Sequence, residues 1–506
     1  MNLLGLALAA GAVLTPAASP GPESTPGFRQ AAQNGVQVEE VFRRTHRMVQ
    51  AWLRYADRRT LLLPDTLPGA RRGNRTLDLY TPHNSGADNY PYLVATAFLT
   101  DRELYEGRMR EMLRSEIRYT NVQDGIPGNL DLKTGTLGPA SLFGAAEYAK
   151  DGLLAITELL GRTPWFYRMA DMTAAVMEHA PVKSDFGPLP DAGAELNGDM
   201  LQALVRLATM TGDRRFLEWA ERIGDAYVRE VLPRNHGLPG YTWDFEKHEG
   251  PDRMRLRDHG NETVVGLALL HALEEYQHGA RGPSYRTAIG GMLDRILASA
   301  NPDGLLYDAI RASDLQPLET RLSDNWGYVY GAVYTYYMVT GDDRYREAVR
   351  KVLRSLPRYR NHDWENGSQD GYADSIESAL YLMNREPVPE AAAWSRARCG
   401  RSSPFSNPTG SSRAGTATAT GRAPCCSTPC GRRRAASWKD GERASGWARF
   451  GTATGCSSPS TPLPAGEESC GSTTSATADC STSIATTCGS TNGRSGSRWT
   501  RTRSIA

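Results

Sequence analysis

The chain has 506 residues, 40% hydrophobic and 23% charged, with a formal net charge of +1. That length and apolar content can bury a substantial core. The near-neutral total hides a division: up to residue 395 there are 43 Lys+Arg against 52 Asp+Glu, and beyond it 15 against 5. An acidic body without a glycine-rich phosphate loop excludes nucleic acid as the partner.

The N-terminus, MNLLGLALAAGAVLTPAASP, is an apolar run with small residues near Ala17 and Ala18. It reads as an export signal over residues 1–20 that lacks its basic start, and so predicts a secreted or periplasmic protein. No other segment is long and apolar enough to span a membrane.

From residue 37 to 394 two kinds of helix alternate. Amphipathic stretches such as VEEVFRRTHRMVQAWLRYAD, RRFLEWAERIGDAYVREVL and RYREAVRKVLRSL carry charge on one side. Runs such as MLQALVRLATMTGD, TVVGLALLHALEEYQ and YVYGAVYTYYMVTGD are apolar nearly all round, so they should be buried on most faces. The pattern predicts an inner shell of helices wrapped by an outer one, with no β-rich stretch between residues 37 and 385. Thr211-Gly212-Asp213 and Thr340-Gly341-Asp342 read as tight inner-to-outer turns, glycine ending one helix and aspartate capping the next.

Each apolar run opens on a short acidic-aromatic cluster. The clusters begin at Asp88, Glu147, Glu195, Asp258, Asp324 and Asp370, spaced 59, 48, 63, 66 and 46 residues apart. A period of that size holds a helix pair with its loops. A ring of parallel inner helices would gather these clusters at one mouth, together with partial positive charge and spare N–H donors. Such a mouth suits anionic sugars: flat aromatic faces for the ring, carboxylates for acid–base work.

Here the chain resembles the six-hairpin glycosidase superfamily. The resemblance runs over about residues 37–385, through the repeated helix pairs and clusters such as DNY, ELNGD, DNWGY and DGYAD. It implies an all-α fold, an (α/α)6 or (α/α)7 toroid. It also implies a glycoside hydrolase of the unsaturated glucuronyl, rhamnogalacturonyl or β-glucuronidase type, acting on an acidic oligosaccharide or polysaccharide.

Within the clusters, Glu195 and Asp199 lie four apart on one helix face. Asp258, His259 and Glu262 form the densest titratable group, preceded by Arg253, Arg255 and Arg257 as candidate carboxylate clamps. The catalytic candidates are therefore Asp258, Glu262, Glu195 and His259. Asp88, Asn89, Tyr90, Asp199, Asn261, Asp324, Trp326, Tyr328, Asp370, Tyr372 and Asp374 are candidates for holding substrate. Lys150-Asp151 reads as a buried ion pair. Two alternatives stand beside hydrolysis. A polysaccharide lyase would use His259, Asn261, Tyr328 or Tyr372 beside a uronate, and a non-catalytic toroid would only bind sugar. No cofactor is expected, and no HExxH, paired-cysteine zinc spacing or aspartate-rich calcium loop points to a metal.

Residues 395–506 are of another kind. All eight cysteines lie there and none of the 22 tyrosines. From Arg396 on there is no Val, Met, His, Gln or Tyr and a single Leu, a composition that builds no packed core. A basic disordered extension or a cysteine module would account for part of this. Translation out of frame accounts for more. One shift of two bases lets the stretch after Trp394 encode a seventh acidic-aromatic cluster followed by another apolar helix.

Overall fold

The computed structural model describes residues 26–65, 78–257, 259–364 and 369–402. The predicted signal, the tail beyond residue 402 and Asp258 lie outside them.

The amphipathic runs form outer helices and the apolar runs inner ones. The outer helices are α1 (Pro26–Leu53), α3 (Arg110–Thr120), α5 (Pro164–Glu178), α7 (Arg214–Ala226), α9 (Gly282–Ala298), α11 (Asp343–Ser355) and α13 (Pro389–Ser402). The inner ones are α2 (82–100), α4 (142–160), α6 (Ala194–Thr211), α8 (Glu262–Tyr276), α10 (Trp326–Thr340) and α12 (Gln369–Met383). Each inner helix packs on the next, α2 on α4, then α6, α8, α10 and α12 in sequence order, and most also pack on the outer helix that follows. This is the all-α architecture of an (α/α) toroid. The first helix begins at Pro26, eleven residues before the predicted start.

Two of the inner helices are locally widened. Pro82–Asn89 and Tyr148–Leu154 are π-helical, adding residues within the turn. Such insertions rotate side chains off the regular helical register and recur at functional sites. The turns at Gly212 and Gly341 form as expected: both glycines are left-handed, and Asp213 and Asp342 accept hydrogen bonds from the N–H groups of Arg215 and Arg344.

The close approach of inner helices rests on absent side chains. A Cβ on Gly198 of α6 would lie 2.2 Å from the backbone N of Thr263 on α8. One on Gly327 of α10 would lie 2.5 Å from Cα of Ser378 on α12. Glycine at these points lets backbones meet directly, and the Gly327 N–H donates to the Ser378 hydroxyl at 3.0 Å.

The expectation of no β structure needs correction. A small antiparallel sheet forms from β1 (Leu79–Tyr80), just before α2, and from β2 (Asn121–Gln123), β3 (Ile126–Asp131) and β4 (Leu137–Ala140), between α3 and α4, with β3 pairing with the other three. A two-residue ladder joins β5 (Met254–Arg255) to β6 (Ala309–Ile310). Four of the strands have only two or three residues, and β3 (IPGNLD) and β4 (LGPA) carry proline and glycine in place of a period-two alternation.

Candidate active site

The N-terminal ends of inner helices meet at one end of the molecule. His259, just before α8, brings its Nδ1 against Glu195 Oε1 at the start of α6 and to 3.9 Å from Glu147 Oε1 on α4. One donor atom from each of the three lies within 4.8 Å of the other two. Three neighbouring helix starts thus deliver two carboxyls and an imidazole to one point. His259 holds a left-handed backbone, φ 44°, an uncommon conformation for a residue with a side chain. Its side chain is 39% exposed, that of Glu195 19% and that of Glu147 7%, so the imidazole is nearest solvent and Glu147 deepest.

One layer below sits Lys150. Its Nζ lies 2.9 Å from Asp151 Oδ1, 2.8 Å from Glu262 Oε1 and 3.7 Å from Asp199 Oδ1. Gln202 Nε2 donates to the other oxygen of Glu262 at 2.7 Å. Asp199 is fully buried, and its carboxyl shares a side-chain hydrogen bond with that of Glu147. One lysine thus faces three carboxylates, Glu262 and Asp199 buried and Asp151 partly exposed, with Glu147 a fourth close by. Burial, then Asp199 and Asp151, push the Glu147 carboxyl well above its ordinary range against the pull of Lys150. Burial likewise raises Asp199 well above its ordinary range, opposed chiefly by Lys150. For Lys150 burial acts to lower the pKa, but Asp151, Glu262 and Asp199 outweigh it and hold the ammonium charged.

The two layers follow from helical spacing. Glu195 and Asp199 are four residues apart, one turn along the same face of α6; Glu147 and Asp151 have the same spacing in sequence, across the start of the π-helical segment of α4. The first acid of each pair stands at the mouth and the second descends towards Lys150. Sequence reasoning missed Glu147, Lys150 as the hub, and Gln202; the recurring acid-x-x-x-acid pattern was the signal for Glu147.

The other sequence candidates are placed as follows. Glu262, read as catalytic, is held by Lys150 and Gln202 and is 4% exposed. Asp324 is buried in a bidentate pair with Arg257, at 3.0 and 3.2 Å. Asn261 donates to Leu256 O at 3.2 Å and to Asn325 Oδ1 at 3.4 Å, tying the starts of α8 and α10 together. Trp326 is wholly enclosed and Tyr328 nearly so, which leaves neither a face for a sugar ring. Tyr90 donates to Met109 O at 2.6 Å and accepts from Trp165 Nε1 at 2.8 Å, a contact within the helix packing. Asn89 is fully buried, its amide without a hydrogen-bond partner. Asp374 is buried, whereas Asp88, Asp370 and Tyr372 are partly exposed. Asp258 lies outside the described residues.

The arginine clamps are engaged within the protein. Arg253 Nη2 lies 3.4 Å from Glu319 Oε1, Arg255 sits over the Tyr241 ring at 5.9 Å, and Arg257 holds Asp324. Among the described residues, two sets of side chains have the donors and spacing to hold a cation: Glu147 with Glu195 and His259, and Asp185 with Glu230 and His248.

No family model matches this sequence, and no curated protein matches it. Solved structures resemble it at low identity. A D-mannose isomerase aligns at 13% identity with TM-score 0.46, covering 64% of this chain and 86% of its own. A cellobiose 2-epimerase from Bacillus thermoamylovorans aligns at 10% and 0.44, covering 64% and 88%. A family 76 glycoside hydrolase (mannosidase) from Bacteroides thetaiotaomicron aligns at 13% and 0.44, covering 79% and 98%.

Proposed function

We propose that the chain is a glycoside hydrolase acting on an acidic oligosaccharide, with Glu147 as general acid and Glu195 as nucleophile. The observation that carries this reading is the meeting of Glu147, Glu195 and His259 at the mouth, one donor atom from each within 4.8 Å of the others. Hydrolysis of a glycosidic bond needs one carboxyl that keeps its proton and one that gives it up. Burial keeps the proton on Glu147. Glu195 is more exposed and rests against His259, which fixes its orientation. Retaining enzymes hold the two carboxyls about 5–5.5 Å apart and inverting ones about 6.5–9.5 Å. The short separation here favours retention: Glu147 protonates the leaving oxygen, Glu195 attacks the anomeric carbon, and water then releases the sugar with Glu147 as base.

The acidic character of the substrate rests on the converging helix N-termini, whose N–H groups and dipoles favour anions. The upward pKa shifts of Glu147 and Asp199 weaken the negative charge that would oppose one. Export from the cytoplasm and the out-of-frame origin of residues 395–506 belong to the same proposal. Sequencing the source gene tests the latter, and an intact frame encoding the tail as written would refute it.

A second reading has its own observation. His259 is the most exposed of the three groups and rests on a carboxylate, an arrangement that also suits proton abstraction beside a uronate. That reaction is β-elimination and creates a C=C bond. The full chain is incubated with a panel of uronate-containing and neutral oligosaccharides while reducing ends and ultraviolet absorbance are followed. Reducing ends without absorbance, on uronate substrates, are expected. Absorbance rising with the reducing ends would replace hydrolysis by elimination, and binding without either signal would leave a non-catalytic toroid.

A further inference from the structure

A second cluster lies away from the Lys150 network. Glu230, at the end of the outer helix segment Tyr227–Val231, is 2% exposed. Its Oε1 accepts from Trp243 Nε1 at 2.9 Å and lies 3.0 Å from His248 Nδ1. Asp185 approaches from the loop before α6, and one donor atom from each of Asp185, Glu230 and His248 lies within 4.8 Å of the others. His248 takes a left-handed backbone, φ 57°, in presenting its ring to Glu230.

The charges nearby are spent elsewhere. Lys247 Nζ is 2.6 Å from Asp244, and Arg229 is 3.5 Å from Asp225. Arg222 donates to the carbonyl of Pro188 at 3.3 Å. Among the described residues Glu230 has no lysine or arginine partner, so a buried carboxylate depends on a single half-exposed imidazole for compensation. Burying a carboxylate without a full counter-charge is costly. Two carboxylates and an imidazole, on three separate chain segments, are a donor set that a first-row divalent ion completes with water.

We propose that Asp185, Glu230 and His248 bind a divalent transition ion of the Mn2+ type. The ion links the loop before α6 to the loop before α8. These loops already pair where Trp243 N–H donates to Ala192 O at 2.9 Å and Ala194 N–H to Tyr241 O at 3.0 Å, immediately ahead of Glu195. The proposal is independent of which reaction the mouth performs.

Mn2+ is the probe because all eight cysteines lie beyond residue 398 and their thiolates would compete for zinc. The full chain, freed of metal by chelator, is titrated with MnCl2 and the loss of the free-ion paramagnetic resonance signal is followed beside the melting temperature. One ion per chain and a raised Tm are expected. His248→Gln, at a half-exposed position, and Asp185→Asn, at an exposed one, should each weaken binding at least about tenfold, whereas His259→Gln at the mouth should leave it intact. No bound ion, or binding that survives His248→Gln and is lost in His259→Gln, overturns the proposal.

Discussion

Lys150 Nζ lies 2.8 Å from Glu262 Oε1, so a cation on the second inner helix neutralises a carboxylate on the fourth. The same ammonium reaches Asp151 and Asp199, so one lysine faces three carboxylates, of which Glu262 and Asp199 are buried. Lys150→Met should therefore destabilise the fold by about 3–5 kcal/mol, the usual cost of leaving buried charge unpaired. Urea unfolding of the variant measures it. A loss under about 1 kcal/mol would mean that the carboxylates are compensated by another group.

The raised pKa values of Glu147 and Asp199 set a direction with pH. A carboxyl whose folded pKa exceeds its unfolded one binds its proton more tightly when folded. Its stabilisation is complete below the ordinary values of 4.5 and 3.8 and is lost as pH climbs through the raised folded values. The melting temperature should accordingly fall as pH rises across that window, and Asp199→Asn should flatten the fall. A Tm that rises with pH across the window would contradict the assignment.

The Gly198 contact predicts a steric failure. With a Cβ placed 2.2 Å from the Thr263 nitrogen, Gly198→Ala forces α6 and α8 apart. Overpacking of a close helix contact costs about 1–3 kcal/mol or more, and here it also displaces Glu195 relative to His259. A thermal melt of the variant should show the loss, and an unchanged Tm would mean the two helices yield freely.

The stereochemistry of cleavage gives a further test. The close approach of Glu147 and Glu195 predicts retention, so the first product released should carry the anomeric configuration of the substrate. Proton NMR of the initial product reads this directly, and initial release of the opposite anomer would require a water between the carboxyls that the present spacing leaves no room for.

Much of this was legible in the sequence because helix starts repeat. The apolar runs marked the inner helices, and the Gly-Asp turns marked their ends. Glu195 and His259 were legible because their clusters open those helices. The roles of Trp326 and Tyr328 were not: a helix apolar all round gives no sign of which aromatic faces the axis and which a neighbour. Glu262 looked catalytic through its nearness to His259, but as the first residue of α8 it turns inward to Lys150 and Gln202. Glu147 was passed over because its cluster reads as the ion pair Lys150-Asp151, although it repeats the spacing of Glu195 and Asp199. The short strands of the β3 sheet left no pattern to find.

The central claim is that Glu147 and Glu195 cleave a glycosidic bond together. The measurement that tests it most directly is the rate of reducing-end release by Glu147→Gln and Glu195→Gln against the parent chain on one cleaved uronate substrate, with melting temperatures recorded in parallel. Each substitution should lower kcat by about 10²–10⁴-fold, with Glu195→Gln leaving the Tm nearly unchanged because its side chain is partly exposed. Undiminished turnover in Glu195→Gln, with its fold intact, would place the chemistry elsewhere.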